Sequence, residues 1–82
     1  MFSYLAFYNN TSIPFVSVYT DDTCIIECLP QSIKTKYRIF DAGSICIAVY
    51  DNRLVLLSDL YISLFPNKFY TLNINDNFAE LI

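Results

Sequence analysis

The chain has no histidine. That removes the side chain most often used as a general base near neutral pH, and the usual middle member of a nucleophilic triad. It has one glycine, so no glycine-rich phosphate-cradling loop can be built. Basic residues are scarce: five in 82, against eight acidic ones, for a net charge of −3. A broadly positive face for nucleic acid is thereby excluded. The acidic residues, Asp21, Asp22, Glu27, Asp41, Asp51, Asp59, Asp76 and Glu80, are spread along the chain, mostly at expected turns. They are too scattered to mimic DNA, and lone carboxylates at turns do not make the acid/base pair of a hydrolase.

Cysteine is present but in the wrong number and spacing for the common cysteine sites. Three thiols, Cys24, Cys28 and Cys46, cannot all pair within one chain. Cys24 and Cys28 on one strand face would stand about 13 Å apart, beyond disulfide reach. Either pairs with Cys46 only across neighbouring strands. With no histidine and no tight CxxC pair, a structural zinc site is one ligand short. The expected state is three buried thiols in a reducing compartment. A catalytic cysteine lacks a base, since strand alternation sends Glu27 to the face opposite Cys24 and Cys28. No catalytic, cofactor or metal residues are assigned.

Residues 1–20 carry no charge. The opening "MFSYLAFYNN" nevertheless lacks a basic n-region and a small-residue cleavage pattern, so it reads as a first strand, not a signal peptide. "NNTSIP" interrupts the apolar run with groups costly in a bilayer, which excludes a transmembrane helix. Asn9 and Asn10 each begin a glycosylation sequon, which without a secretory signal is a chance match. The expected location is intracellular, in the cytoplasm of the producing or host cell.

What the chain has in abundance is apolar and aromatic side chains, 55% and 17% of residues. This is ample to oppose chain entropy, so disorder is excluded. Residues 1–82 make a single domain. A domain this short has little interior, however, and part of the apolar surplus must stay on the surface, where a contiguous patch marks a partner.

The pattern is short β-rich runs separated by polar pairs, with no repeats or linkers. It predicts an all-β fold: a small antiparallel β-sandwich or barrel of about seven short strands with little helix. "FSYLAFY" is the first strand. "IPFVSVYT-DD-TCIIECL" reads as a hairpin that pairs Tyr19 with Cys24. "SIKTKYRIF" reads as a half-buried strand, with Ile33, Thr35, Tyr37 and Ile39 inward and Lys34, Lys36, Arg38 and Phe40 outward. "ICIAVY-DN-RLVLLS" reads as a hairpin with a two-residue Asp51–Asn52 type I′ turn. Its register would pair Val49 with Leu54 and Ile47 with Leu56, putting them and Ile45 into the core. The opposite face, Cys46, Ala48, Val55 and Leu57, would be covered by a second layer or another subunit. "DLYISLF" suits a strand or a short helix. "FYTLNIN" alternates Tyr70, Leu72 and Ile74 inward, and "DNFAELI" is expected to end in a helical turn capped by Asp76.

The basic row Lys34, Lys36 and Arg38 has three readings: protection of a sheet edge against edge-to-edge pairing, contact with an acidic partner, or weak, salt-sensitive binding of nucleic acid or anionic lipid. Edge protection suits so apolar a chain best. Tyr37 is expected on the other face, out of reach of any ligand of the row. In composition the chain resembles virus-encoded accessory proteins: small, rich in Phe, Tyr, Ile and Asn, poor in Gly and without catalytic motifs. No motif carries a residue across from that likeness. The function expected is a non-enzymatic protein-interaction module that self-associates as a homodimer and binds another protein. Its candidate interaction residues are Lys34, Lys36, Arg38, Cys46, Val55 and Leu57. The alternatives are a lipid or small-hydrophobe binder and, less well supported, a cysteine-based enzyme or redox protein.

Overall fold

The computed structural model describes residues 1–82. Eight strands follow in order: β1 (Phe2–Asn9), β2 (Phe15–Thr20), β3 (Thr23–Pro30), β4 (Arg38–Asp41), β5 (Gly43–Tyr50), β6 (Leu56–Leu64), β7 (Phe69–Ile74) and β8 (Ala79–Leu81). They form two four-stranded sheets, β4-β1-β7-β8 and β3-β2-β5-β6, stacked as a small β-sandwich. There is no helix, and so none long and apolar enough to cross a membrane.

The alternation of each strand supplies the core. Leu5 and Phe7 from β1 and Leu72 and Ile74 from β7 meet Val16, Val18, Ile47, Val49, Ile62 and Leu64 from the other sheet. Each such side chain, once fully buried, contributes about 1.5–3 kcal/mol. Phe40 closes one side of the core, edge-to-face on Phe7 at 6.4 Å between ring centroids.

The chain passes between the sheets at β1–β2, β3–β4, β4–β5 and β6–β7. The β4–β5 passage is a corner of one residue, Ala42, followed by the only glycine. Gly43 has φ +132°, a backbone conformation that a β-carbon disfavours. All strand pairs are antiparallel except β1–β7, which run parallel with Phe7 beside Leu72 and Asn9 beside Ile74. Parallel neighbours need a long crossover, and here the whole β2–β6 segment supplies it.

The first hairpin has the expected form. Asp21 and Asp22 sit at φ 48° and 64°, as a two-residue I′ turn requires, and Tyr19 pairs with Cys24. Two register irregularities follow along β3, and Cys28 at φ 57° lies within that stretch. Cys24 and Cys28 are exposed and Cys46 half-buried, all three free, contrary to the expectation of buried thiols.

The second hairpin is corrected. The Asp51 carboxylate accepts hydrogen bonds from the N–H groups of Arg53 (2.8 Å) and Val55 (2.9 Å). Its main-chain N–H bonds the Val55 carbonyl, and its carbonyl accepts from the Leu54 N–H. This builds a longer loop that puts Leu54 at φ 63°, the left-handed position such loops usually give to glycine. The register moves: Ile47 pairs with Leu60, not Leu56, and a bulge at Leu57 separates the pairs Tyr50–Leu56 and Val49–Ser58. Ile47 and Val49 are buried as expected. Leu54 and Leu56 are not core residues: they are 69% and 50% exposed. The bulge turns Leu57 towards the core instead, where it packs half-buried, while Val55 stays exposed.

"DLYISLF" is strand, within β6, and β7 buries Leu72 and Ile74 as read. The expected C-terminal helical turn is absent. Residues Ala79–Leu81 form β8 against β7, and Asp76 caps a loop instead of a helix. One of its carboxylate oxygens accepts from the Ser12 N–H and hydroxyl, both at 2.9 Å. These bonds, the backbone one first, hold the carboxyl below its ordinary value. The stability this exposed tie adds is present above the ordinary carboxylate range and is lost as pH falls through the lowered value.

The loop that Asp76 caps begins at a buried amide. Asn9 is fully buried at the end of β1. Its Nδ2 donates to the Leu29 carbonyl on the opposite sheet (3.0 Å), and its Oδ1 accepts from the Thr11 N–H (3.0 Å) and hydroxyl (2.6 Å). Its main chain bonds Ile33 and Ser32. Ser3, equally buried at the other end of β1, has a hydroxyl with no partner. Leaving buried polar groups unpaired costs about 1–3 kcal/mol each. Asn9→Leu should therefore lower stability by about 2–4 kcal/mol. Ser3→Ala should raise it by about 0.5–1 kcal/mol, since it removes an unpaired group at little loss of volume. Urea unfolding with unchanged m-value reads both. An unaltered midpoint for Asn9→Leu would remove the tie from the account.

Candidate functional site

With the inward residues spent on the core, the outward phase of each sheet remains, and both outer faces are aromatic. On the β4-β1-β7-β8 sheet, Ile39, Tyr4 and Phe69 lie side by side across three strands. The Tyr4 and Phe69 rings stack at 4.5 Å and 13°. Tyr37 stands edge-on to Phe69 at 5.0 Å. Phe2 and Ile82 extend this ridge at its two ends. Phe69, Ile39 and Ile82 are each more than 60% exposed.

Lys34 belongs to the same ridge. Its ammonium lies 5.0 Å from the Tyr37 ring centroid and donates to the Tyr37 hydroxyl at 3.3 Å. That hydrogen bond lowers the phenol's pKa, helped by a contact with Thr71. The expectation that Tyr37 and Lys34 face opposite ways is thus corrected, and so is the three-residue basic row. Tyr8 bridges Lys34, while Leu5 pairs with Arg38. Between these two contacts the register slips by one residue. A one-residue slip reverses the face of everything beyond it. Lys34 therefore faces outward with Tyr37, whereas Arg38 shares the phase of Leu5 and Phe40. Ile33, Tyr37 and Ile39, expected inward, are exposed, and Phe40 takes the inward place. Lys36 lies in the irregular stretch between. The segment does run along an edge, because β4 is the outermost strand of its sheet.

The other outer face is concave. Central strand β5 presents only small side chains there, Cys46 and Ala48, before Tyr50. Around them stand Tyr19 on β2, Leu56, Asp59 and Tyr61 on β6, and Asp21 and Asp22 at the first hairpin turn. Small residues ringed by large ones leave an open depression of about 600 Å³. Tyr19 and Tyr50 form an edge-to-face corner at 5.1 Å. Ala48 pairs with Tyr19 on one side and Asp59 on the other, and Cys46 pairs with Tyr61. No lysine or arginine lines it. The Cys46 thiol donates to Asp59 Oδ1 at 3.7 Å.

Of the candidate interaction residues, Cys46 alone lines this depression. Val55 and Leu57 sit beside it, on the loop and on the core side of the bulge. Lys34, Lys36 and Arg38 belong to the other sheet. The alternating small and large pattern Cys46, Ala48, Tyr50 was the available sign of a concavity; the acidic rim comes from turns distant in sequence and gave none.

Comparison of the chain with known protein families, curated proteins and solved structures finds no match.

Chemically, the depression does not activate its thiol. Partial burial, then the Asp59 charge, push the Cys46 pKa up. A raised pKa leaves less thiolate at neutral pH, the opposite of what a nucleophile needs. Cys46 should alkylate with iodoacetamide more slowly than an unhindered model thiol at pH 7.5, with its rate climbing at higher pH than the model's. Mass mapping of the modified peptide reads this, and a Cys46 rate at or above the model's would contradict it.

Proposed function

We propose that the protein is a non-enzymatic interaction module that self-associates through the aromatic ridge of the β4-β1-β7-β8 sheet and binds another protein. The supporting observation is the ridge itself. Tyr4, Tyr37, Ile39 and Phe69 form a contiguous outward group, with Phe2 and Ile82 exposed on the same sheet. At about 150–250 Å² for each aromatic side chain, a partly exposed group of this size offers on the order of 500 Å² of apolar area. A standard interface takes about 800 Å² from each partner, so this ridge supplies most of one side, and it stands near the upper end of the roughly 300–600 Å² patches of monomers, which are often functional. A two-fold pairing of identical ridges is the simplest closed arrangement. An accessory role for a virus is the setting that the composition suggests.

The reading of a lipid carrier has less support. The core side chains fill the space between the sheets, and both depressions on the molecule are at its surface.

Sedimentation velocity across the micromolar range tests the proposal. The wild-type chain should sediment as a dimer. Phe69→Lys should dissociate it into a folded monomer, since Phe69 is 63% exposed, with the midpoint falling only by the stabilisation that association gave. A wild-type protein that stays monomeric at tens of micromolar would refute self-association.

A further inference from the structure

The concave face of the β3-β2-β5-β6 sheet has a composition that the ridge does not share: aromatic walls, a floor of small side chains and an acidic rim with no cation of its own. We propose that this depression is a receptor for an arginine side chain carried by a basic segment of a partner protein. The inference deepens the partner-binding half of the reading above and does not depend on self-association.

Three features select the guanidinium. The first is the ring arrangement. Tyr19 and Tyr50 make a corner at 5.1 Å and 76°, which presents a ring face and a neighbouring edge to whatever lies on Ala48. Tyr61, 80% exposed on the next strand, stands across the depression. A planar cation stacked on such a face is attracted by the ring quadrupole, and arginine makes this contact more often than lysine. The second is the carboxylate set. Asp59 lies directly across from Ala48, and Asp21 and Asp22 approach from the hairpin turn. A guanidinium carries five N–H donors in a fixed fork, enough to stack and to bond a carboxylate at once. Only one Asp59 oxygen is engaged, by the weak Cys46 thiol donor.

The third is the local potential. Burial first and then the Asp59 charge raise the Cys46 pKa, and the Cys46 neighbour first and then Asp59 raise that of Tyr61, so both wall groups are held in their neutral forms beside a carboxylate. A site that resists anions on its own walls favours a cation from outside. A neutral hydrophobe would gain from the rings but nothing from the rim, and an anion would be repelled.

Titration of the ¹⁵N-labelled full chain with the peptide acetyl-Gly-Arg-Gly-amide, followed by amide chemical shifts, tests the inference. The citrulline analogue keeps the shape and loses the charge. The arginine peptide should shift Tyr19, Ala48, Tyr50 and Asp59 saturably, and the citrulline peptide should bind at least about fivefold more weakly. Asp59→Asn and Tyr61→Ala, both at exposed positions and expected to fold, should each weaken binding by about three- to tenfold. Equal binding of the citrulline peptide would overturn the proposal. So would shifts spread over all the acidic turns, or no shift at millimolar peptide. If dilution of the protein alone moves the same four amides, and replacing Lys34, Lys36 and Arg38 with alanine stops it, the occupant is a second copy of this chain. That too would overturn the assignment to a partner. The peptide outcomes leave sedimentation of the ridge variant unaffected, and only a second copy in the depression would let Phe69→Lys still associate, so the two readings can fail separately.

Discussion

Asn9 makes three side-chain hydrogen bonds at a depth where water cannot replace them. One reaches the opposite sheet at Leu29, and two fold the chain back through Thr11 towards β2. Its main chain also ties down the start of the irregular segment that leads to β4. A polar side chain so placed costs stability unless every partner is met. Because they are met, the amide holds the end of β1 against β3, while the alternation of each strand sets which residues face inward and which outward.

That outward phase is where this protein differs from an ordinary small sandwich. Fifty-five per cent of its residues are hydrophobic, and an 82-residue fold has too little interior to hold them. The surplus falls on two faces of different shape and charge. One is a ridge of stacked rings with Lys34 laid against Tyr37. The other is a depression over Cys46 and Ala48, rimmed by Asp21, Asp22 and Asp59. The ridge suits contact with a like apolar surface, and the depression suits a cationic group.

Much of the fold was legible because its strands obey simple alternation. Leu5 and Phe7, Val16 and Val18, and Leu72 and Ile74 all lie where a period of two puts them, and the Asp21–Asp22 turn has the backbone its residues favour. Readings failed where one side chain or one extra residue changed the register. At Asp51 a carboxylate that captures two main-chain N–H groups outweighs the two-residue turn that Asp-Asn suggests, and moves Leu54 and Leu56 from core to surface. Around Lys36 a one-residue slip divides a row that looked continuous and brings Lys34 to Tyr37. The parallel pairing of β1 with β7 leaves no local mark, since it depends on where the chain returns after β6. The two aromatic faces were legible only as a surplus: periodicity says that tyrosines face outward, not which of them become neighbours.

Self-association requires the ridge to be a contact surface. Aromatic and methyl NMR spectra across a dilution series test this residue by residue. The predicted result is concentration-dependent shifts confined to Phe2, Tyr4, Tyr37, Ile39, Phe69 and Ile82, with Tyr19, Tyr50 and Tyr61 unchanged. Spectra of the ridge residues that do not vary with concentration, or shifts centred on the concave face instead, would contradict it.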